Sequence, residues 1–176
     1  MDAFEQNQAK LFEQLLQPHM QRLFRFAYRL THSRPEAEDL FQDVLTKLYT
    51  RLDELAALRD PAPWLNRVLY NHFIDNQRRY ARRRLVDVSE GQLAGQSIES
   101  LPDPAADADP GRLDALEKAL EQLSDEHRTV VLLHDAEGYK LEEIQAITDT
   151  PLGTIKSRLH RARARLREIL ETDGTN

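Results

Sequence analysis

Cysteine is missing from this chain altogether. Disulfides, zinc–thiolate centres and thiol redox chemistry are thereby excluded, and a reducing cytosol is a compatible setting. Long apolar runs are missing too. None approaches the roughly 18 residues that cross a bilayer, and the amino end, MDAFEQNQ, lacks the basic-then-apolar signal pattern. The protein is therefore expected to stay in the cytoplasm without membrane insertion. No Gly-rich phosphate loop, GxSxG elbow or HExxH run occurs. His127 and His134 stand seven residues apart rather than at the three- or four-residue ligand spacing, so neither a metal nor a catalytic role is assigned to them. The Glu142–Glu143 pair reads as the acidic first turn of a helix. The expectation is a protein that is not an enzyme, with no metal and no cofactor.

What is present is charge and helical periodicity. Of 176 residues, 40% are hydrophobic, enough for real cores, and 31% are charged, which favours a helix-rich protein of one or two small domains. The net charge of −6 argues against indiscriminate coating of nucleic acid. Its distribution matters more than its sum. Basic residues cluster in Arg78–Arg84 and Lys156–Arg167, and acidic residues crowd the segment from Asp87 to Glu126.

The stretch from Thr150 to Arg167, TPLGTIKSRLHRARARLR, organises the rest. Pro151 suits the first turn of a helix, and Thr150 before it can cap free amides. Leu152, Ile155, Leu159, Ala162, Leu166 and Ile169 form a packing stripe, while Lys156, Arg158, Arg161, Arg163, Arg165 and Arg167 crowd the remaining surface. A basic face of this kind suits a phosphate backbone, although a run like it in isolation can equally be a solvated helix. Leu141, Ile144 and Ile147 mark a short helix just before it, ending near Asp149 and leaving a tight link. Asp149 can adopt the left-handed backbone such a turn needs, and Gly153 would let the two helices approach closely. The pattern is a helix-turn-helix whose second helix reads a groove.

The residues EIQAITDTPLGTIKSRLHRARARLRE resemble the carboxy-terminal promoter-binding domain of bacterial RNA polymerase sigma factors, especially the extracytoplasmic-function group, with GTIKSRLHRAR the most specific part. Gln145, Thr148, Asp149 and Thr150 depart from the family pattern in and after the first helix of the motif. The resemblance implies recognition of the minus-thirty-five element. Lys156, Ser157, His160 and Arg161 are then expected at base edges or adjacent phosphates, with Thr154 and Arg158 on the backbone.

Nearer the amino end, apolar residues keep helical spacing from Phe4 to Leu16 and from Pro18 to Leu30, with Pro18 expected to open a second helix. Ser33 and Glu36 form a capping box, and Ala37, Leu40, Val44, Leu48, Leu52 and Leu55 continue as one buried stripe. Asp39, Gln42, Asp43, Thr46 and Lys47 face outward, which by itself is what a solvated polar face looks like. EDLFQDVLTKLY, however, is similar to the sigma-factor helix that docks on the clamp of the polymerase largest subunit. That resemblance makes Asp39, Gln42, Asp43 and Lys47 candidates for binding core polymerase.

Asp60 and Pro61 announce the next helix, in which Trp64, Leu65, Val68, Leu69 and Phe73 supply a packing stripe. PWLNRVLYNHFIDNQRRYARR resembles the family segment that captures the melted minus-ten element. The resemblance implies a base pocket at Leu58, Arg59 and Asp60, a strand contact at Asn71, phosphate contacts from the arginine run that includes Arg78 and Arg79, and Arg67 as a further minus-ten DNA-binding residue. Separating strands costs about 1.4 kcal/mol per base-pair step, which a protein without ATP chemistry must offset by holding the single strand. Tyr70 and Tyr80 are possible stacking partners.

From Val86 to Pro110 periodicity stops and Gly, Ser, Pro and Asp dominate, as in a flexible acidic linker. LDALEKALEQLSDEHRTVVLLHDAEGY then makes two more helices with Ser124 as a cap between them. The expected architecture is all-α with two small helical domains. Residues 1–86 would bind core RNA polymerase and the minus-ten element, 87–110 would link, and 111–172 would bind the minus-thirty-five element. The implied function is that of an alternative sigma factor initiating at a restricted promoter set, with core RNA polymerase, promoter DNA and an anti-sigma protein as partners. A free-standing helix-turn-helix regulator with an oligomerisation or sensing bundle is the alternative, and it accounts for the carboxy-terminal half alone. A metal-dependent helical hydrolase is a third reading, against which the ligand spacing already counts.

Overall fold

The computed structural model describes residues 3–86 and 110–173, and among these every regular element is helical. In chain order they are α1 (Ala3–Thr31), α2 (Arg34–Tyr49), α3 (Leu52–Ala56), α4 (Ala62–Val86), α5 (Pro110–Glu121), α6 (Asp125–Val131), α7 (Leu141–Thr148) and α8 (Leu152–Asp173), with a π-helical turn at Leu132–Ala136. The expected linker lies outside the described residues, except that Pro110 already opens α5.

Local chemistry sets several boundaries. The Ser33 hydroxyl accepts from the Glu36 amide at 3.5 Å and starts α2, and Ser124 does the same for α6 through the His127 amide at 3.4 Å. The Asp60 carboxylate accepts from the Ala62 amide at 3.1 Å, so this acid turns the chain into α4. Three expectations are corrected. Pro18 does not open a second helix; it lies inside one continuous α1, exposed, where only the bond from its missing N–H to the Gln14 carbonyl is forgone. The stripe expected to run unbroken to Leu55 stops at Tyr49, and Leu52 and Leu55 are buried from the separate α3, whose first turn follows the Thr50–Arg51 break. Thr150 does not cap α8: among the described residues no first-turn amide of α8 donates to its hydroxyl, which instead donates back to the Thr148 carbonyl at 3.3 Å.

α1 buries Leu16, Leu23, Ala27 and Leu30 at heptad-like spacing, together with Phe24, which meets Phe41 of α2 edge to face with ring centroids 5.4 Å apart. α4 is buried on more than one side. It packs on α1 and α2 through Leu65, Leu69 and Phe73 and also on α7, so its apolar residues spread around much of the cylinder. In the carboxy-terminal half, Ile155, Leu159, Ala162, Leu166 and Ile169 of α8 pack on α5, α6 and α7. The buried residues of both halves form one continuous cluster.

Polar contacts also join the halves. Arg22 of α1 donates to both the carboxylate and the backbone carbonyl of Glu137, and its guanidinium lies 5.9 Å from the Tyr139 ring centroid. Asn66 of α4, 4% exposed, donates to the Tyr139 hydroxyl at 3.0 Å. Arg128 spends all five of its N–H donors: on the carbonyls of Leu120, Glu121 and Leu123 at the end of α5, on Asp125, and at 3.0 Å on the carbonyl of Leu30 at the end of α1. The orphan carbonyls of two helix termini are thus satisfied by one planar cation.

Candidate nucleic-acid interface

α7 and α8 form the helix-turn-helix. The amide of Lys140 donates to the Glu143 carboxylate at 2.7 Å, fixing the start of α7, and Ile144 and Ile147 anchor it in the core. Asp149 ends it in the left-handed region, φ +52° and ψ 38°, as the sequence suggests. Pro151 stands just ahead of α8, its carbonyl accepting from the Ile155 amide at 3.0 Å. Gly153 is not a site of close helix approach: a Cβ there would meet nothing within 4 Å.

With Ile155 and Leu159 pointing inward, Lys156, Ser157, His160 and Arg161 are left exposed along one side of α8, and Thr154 is half-buried at its start. The basic residues of this helix are not equivalent. Arg158 is held in an ion pair with Glu126 at 2.9 Å, and Arg163 is held by Asp135, at 3.0 Å from Nε, and by the His134 ring at 3.1 Å from Nη2. The Arg163 guanidinium keeps the Asp135 carboxyl below the usual carboxylate range. Among the described residues, Lys156, His160 and Arg161 form no ion pair, so their donors remain available for an anion. His134 serves this clamp and His127 belongs to the first turn of α6; no cluster of metal-ligating side chains occurs among the described residues.

The second surface lies on α4 and the loop before it. Leu58, Arg59 and Asp60 are all exposed, and Arg67, Asn71, Arg78 and Arg79 are exposed along α4. Trp64 is partly buried, and the Arg51 guanidinium lies over its ring at 4.7 Å, so it packs rather than stacks on a ligand. The two tyrosines part company: Tyr80 is 66% exposed, while Tyr70 is buried near Arg158, its hydroxyl pushed up by burial.

The third surface is α2. Asp39, Asp43, Thr46 and Lys47 are exposed and Gln42 is half-buried. Sequence reasoning missed His72 of α4, which is 5% exposed and bridges Asp43 and Lys47, and it missed Arg128. His72 carries no local signal, since both its partners lie on another helix, and only the Asp125 contact of Arg128 is local, its other partners being carbonyls of α1 and of α5 and the turn after it.

Two family models match the chain: sigma-70 region 2 over residues 15–84, and sigma-70 region 4 over residues 113–166. The chain is 34% identical over 171 residues to the ECF RNA polymerase sigma factor SigE of Mycolicibacterium smegmatis, covering 90% of this chain and 61% of that protein. It is 35% identical over 161 residues to the RNA polymerase sigma-E factor of Streptomyces avermitilis, covering 92% and 86%. Among solved structures, the sigma factor RpoE in complex with the anti-sigma factor NepR from Bartonella quintana superposes with a TM-score of 0.71 at 33% identity, covering 92% of this chain and 98% of that one.

Proposed function

This chain belongs to the extracytoplasmic-function group of the sigma-70 family of RNA polymerase sigma factors, and we infer from that membership that it is an alternative sigma factor. It binds core RNA polymerase and directs promoter recognition, melting and initiation at a restricted promoter set. It contributes no catalysis of its own, works in the cytoplasm, and is held in check by an anti-sigma protein, a partner of the kind present in the Bartonella quintana complex. The alternative of a free-standing regulator is set aside, because matches to both sigma regions lie in one chain.

The division of labour we propose runs along the chain. Residues 1–86 engage core polymerase through Asp39, Gln42, Asp43 and Lys47 of α2, and hold the melted minus-ten strand through Leu58–Asp60, Arg67, Asn71, Arg78 and Arg79. Residues 111–172 read the minus-thirty-five element through Lys156, Ser157, His160 and Arg161, with Thr154 on the backbone. Residues 87–110 join the two. Arg158 is the weakest member of the set, since its guanidinium must leave Glu126 before it reaches a phosphate.

The observation that carries this reading is the face of α8 on which Lys156, His160 and Arg161 stand exposed and without an ion pair while neighbouring arginines are engaged by acidic partners. Run-off transcription with purified core RNA polymerase and a promoter library tests it. Transcripts should start from a small subset of templates only when this chain is present. Absence of start-site selection on every template would overturn the assignment.

A further inference from the structure

His72 is a polar side chain in the packed interior of α4, 5% exposed, that neither core packing nor strand capture accounts for. Its Nδ1 lies 2.6 Å from the Lys47 ammonium, and its Nε2 lies 3.1 Å from the Asp43 carboxylate. An ammonium can only donate, so Nδ1 accepts; the ring proton must then sit on Nε2 and donate to Asp43. Both ring nitrogens are satisfied in one tautomer, with the ring set between the Lys47 side chain and the Asp43 carboxylate. Asp43 and Lys47 stand four residues apart on α2, where two such groups ordinarily pair with each other. Here a ring from another helix is interposed. The Asp43 side chain remains 63% exposed and Lys47 is exposed, so the charges that His72 orients face solvent.

We propose that His72 is a positioning residue for polymerase docking, setting from α4 the spacing and direction of the Asp43 carboxylate and the Lys47 ammonium. α2 then offers a preformed anion–cation pair, complementary to a partner surface with an arginine or lysine beside an aspartate or glutamate. This inference rests on the reading of α2 as the polymerase-docking face. The gain is pre-organisation: a lysine and an aspartate already held in place lose less rotamer freedom on binding, which for two such side chains amounts to about tenfold in affinity. The same bridge ties the docking helix to the helix that carries Asn71 and Arg67.

The test titrates fluorescently labelled full chain with purified core RNA polymerase. H72Q keeps both an acceptor for Lys47 and a donor for Asp43, whereas H72F and H72L fill the space and offer neither; thermal unfolding confirms that each variant is folded. H72Q should bind within about threefold of the parent and the apolar variants about tenfold more weakly. In a D43A/K47A background, H72F or H72L should cause no further loss, since there is then nothing left to orient. Equal weakening by H72Q and the apolar variants, or a full additional loss in the D43A/K47A background, would overturn the positioning role while leaving α2 as the docking face. Parental affinity of D43A/K47A itself would instead remove the docking reading, and this inference with it.

Discussion

Arg161 and Arg163 stand two residues apart on α8 and differ in what they already hold. Arg163 is clamped by Asp135 and His134, whereas Arg161 is exposed and forms no ion pair among the described residues. Arg161→Ala should cost about 1–3 kcal/mol of promoter affinity, concentrated at one base pair of the minus-thirty-five element if a base edge is read. Arg163→Ala should change DNA affinity less, because its guanidinium must leave a carboxylate to reach DNA. Competition binding of holoenzyme to single-base promoter variants separates the two; a uniform loss for Arg161→Ala across all sequences would make it a phosphate contact. His32 supplies a stability prediction at the same scale. It ends α1 in the left-handed region at φ +53°, and burial, with the Arg128 guanidinium nearby, lowers its pKa from 6.5 to about 4. The folded chain therefore binds fewer protons there than the unfolded chain between pH 6.5 and 4. The stability from keeping it neutral is complete above pH 6.5 and declines as pH falls toward 4, by about 3 kcal/mol. His32→Asn tolerates the left-handed backbone and cannot charge, so its urea-unfolding free energy should lose that slope; an unchanged slope would assign it to other groups.

Elements show where short-range chemistry suffices and where it does not. Asp149 holds the turn of the helix-turn-helix at φ +52°. Gly there carries no Cβ penalty, so Asp149→Gly should leave stability unchanged or raise it by up to about 1 kcal/mol, and β-branched Asp149→Val should lower it by more than about 1 kcal/mol, as thermal unfolding would register. The turn, the two serine caps and the Asp60 entry to α4 were legible in the sequence because each is decided within three or four residues. The continuity of α1 through Pro18 was not: a proline costs an exposed helix one bond, and the burial of Leu16 and Leu23 on either side outweighs it. Nor was the break after Tyr49, since Leu52 and Leu55 keep the apolar rhythm while the chain bends between them and α2. At the site, the exposed basic face of α8 followed from spacing. What its arginines are paired with did not, because Glu126 and Asp135 are brought to them by tertiary packing. The same holds for His72, 25 residues from Lys47 in sequence and 2.6 Å away in space.

At the scale of the whole molecule, the two halves are latched together, and the proposed assignment of each half to its own promoter element requires them to part. A compact chain of this length has a radius of gyration of about 16 Å. The minus-ten and minus-thirty-five elements are centred about 25 base pairs apart, or about 85 Å of straight duplex at about 3.4 Å per pair. With α4 packed on α7, the helix assigned to the melted strand abuts the helix-turn-helix, so the closed molecule cannot reach both elements. The residues numbered 87–109, if extended at about 3.4 Å each, can bridge nearly that distance. Opening must break the Arg22–Glu137, Asn66–Tyr139 and Arg128–Leu30 bonds, whose groups water can take up, and must also expose the apolar residues where α4 packs on α7. The absence of cysteine makes the movement directly measurable, since dyes can be attached solely at engineered Gln17→Cys on α1 and Leu170→Cys near the end of α8, both exposed positions. Energy transfer should be high in the free protein and fall when core polymerase is added. Arg22→Ala, which removes two charge-assisted bonds worth about 1.5–3 kcal/mol each at most, should lower it already in the free protein. Unchanged transfer on polymerase binding would mean that the latched form is the working form, and the assignment of the two halves to separate promoter elements would fail on reach alone.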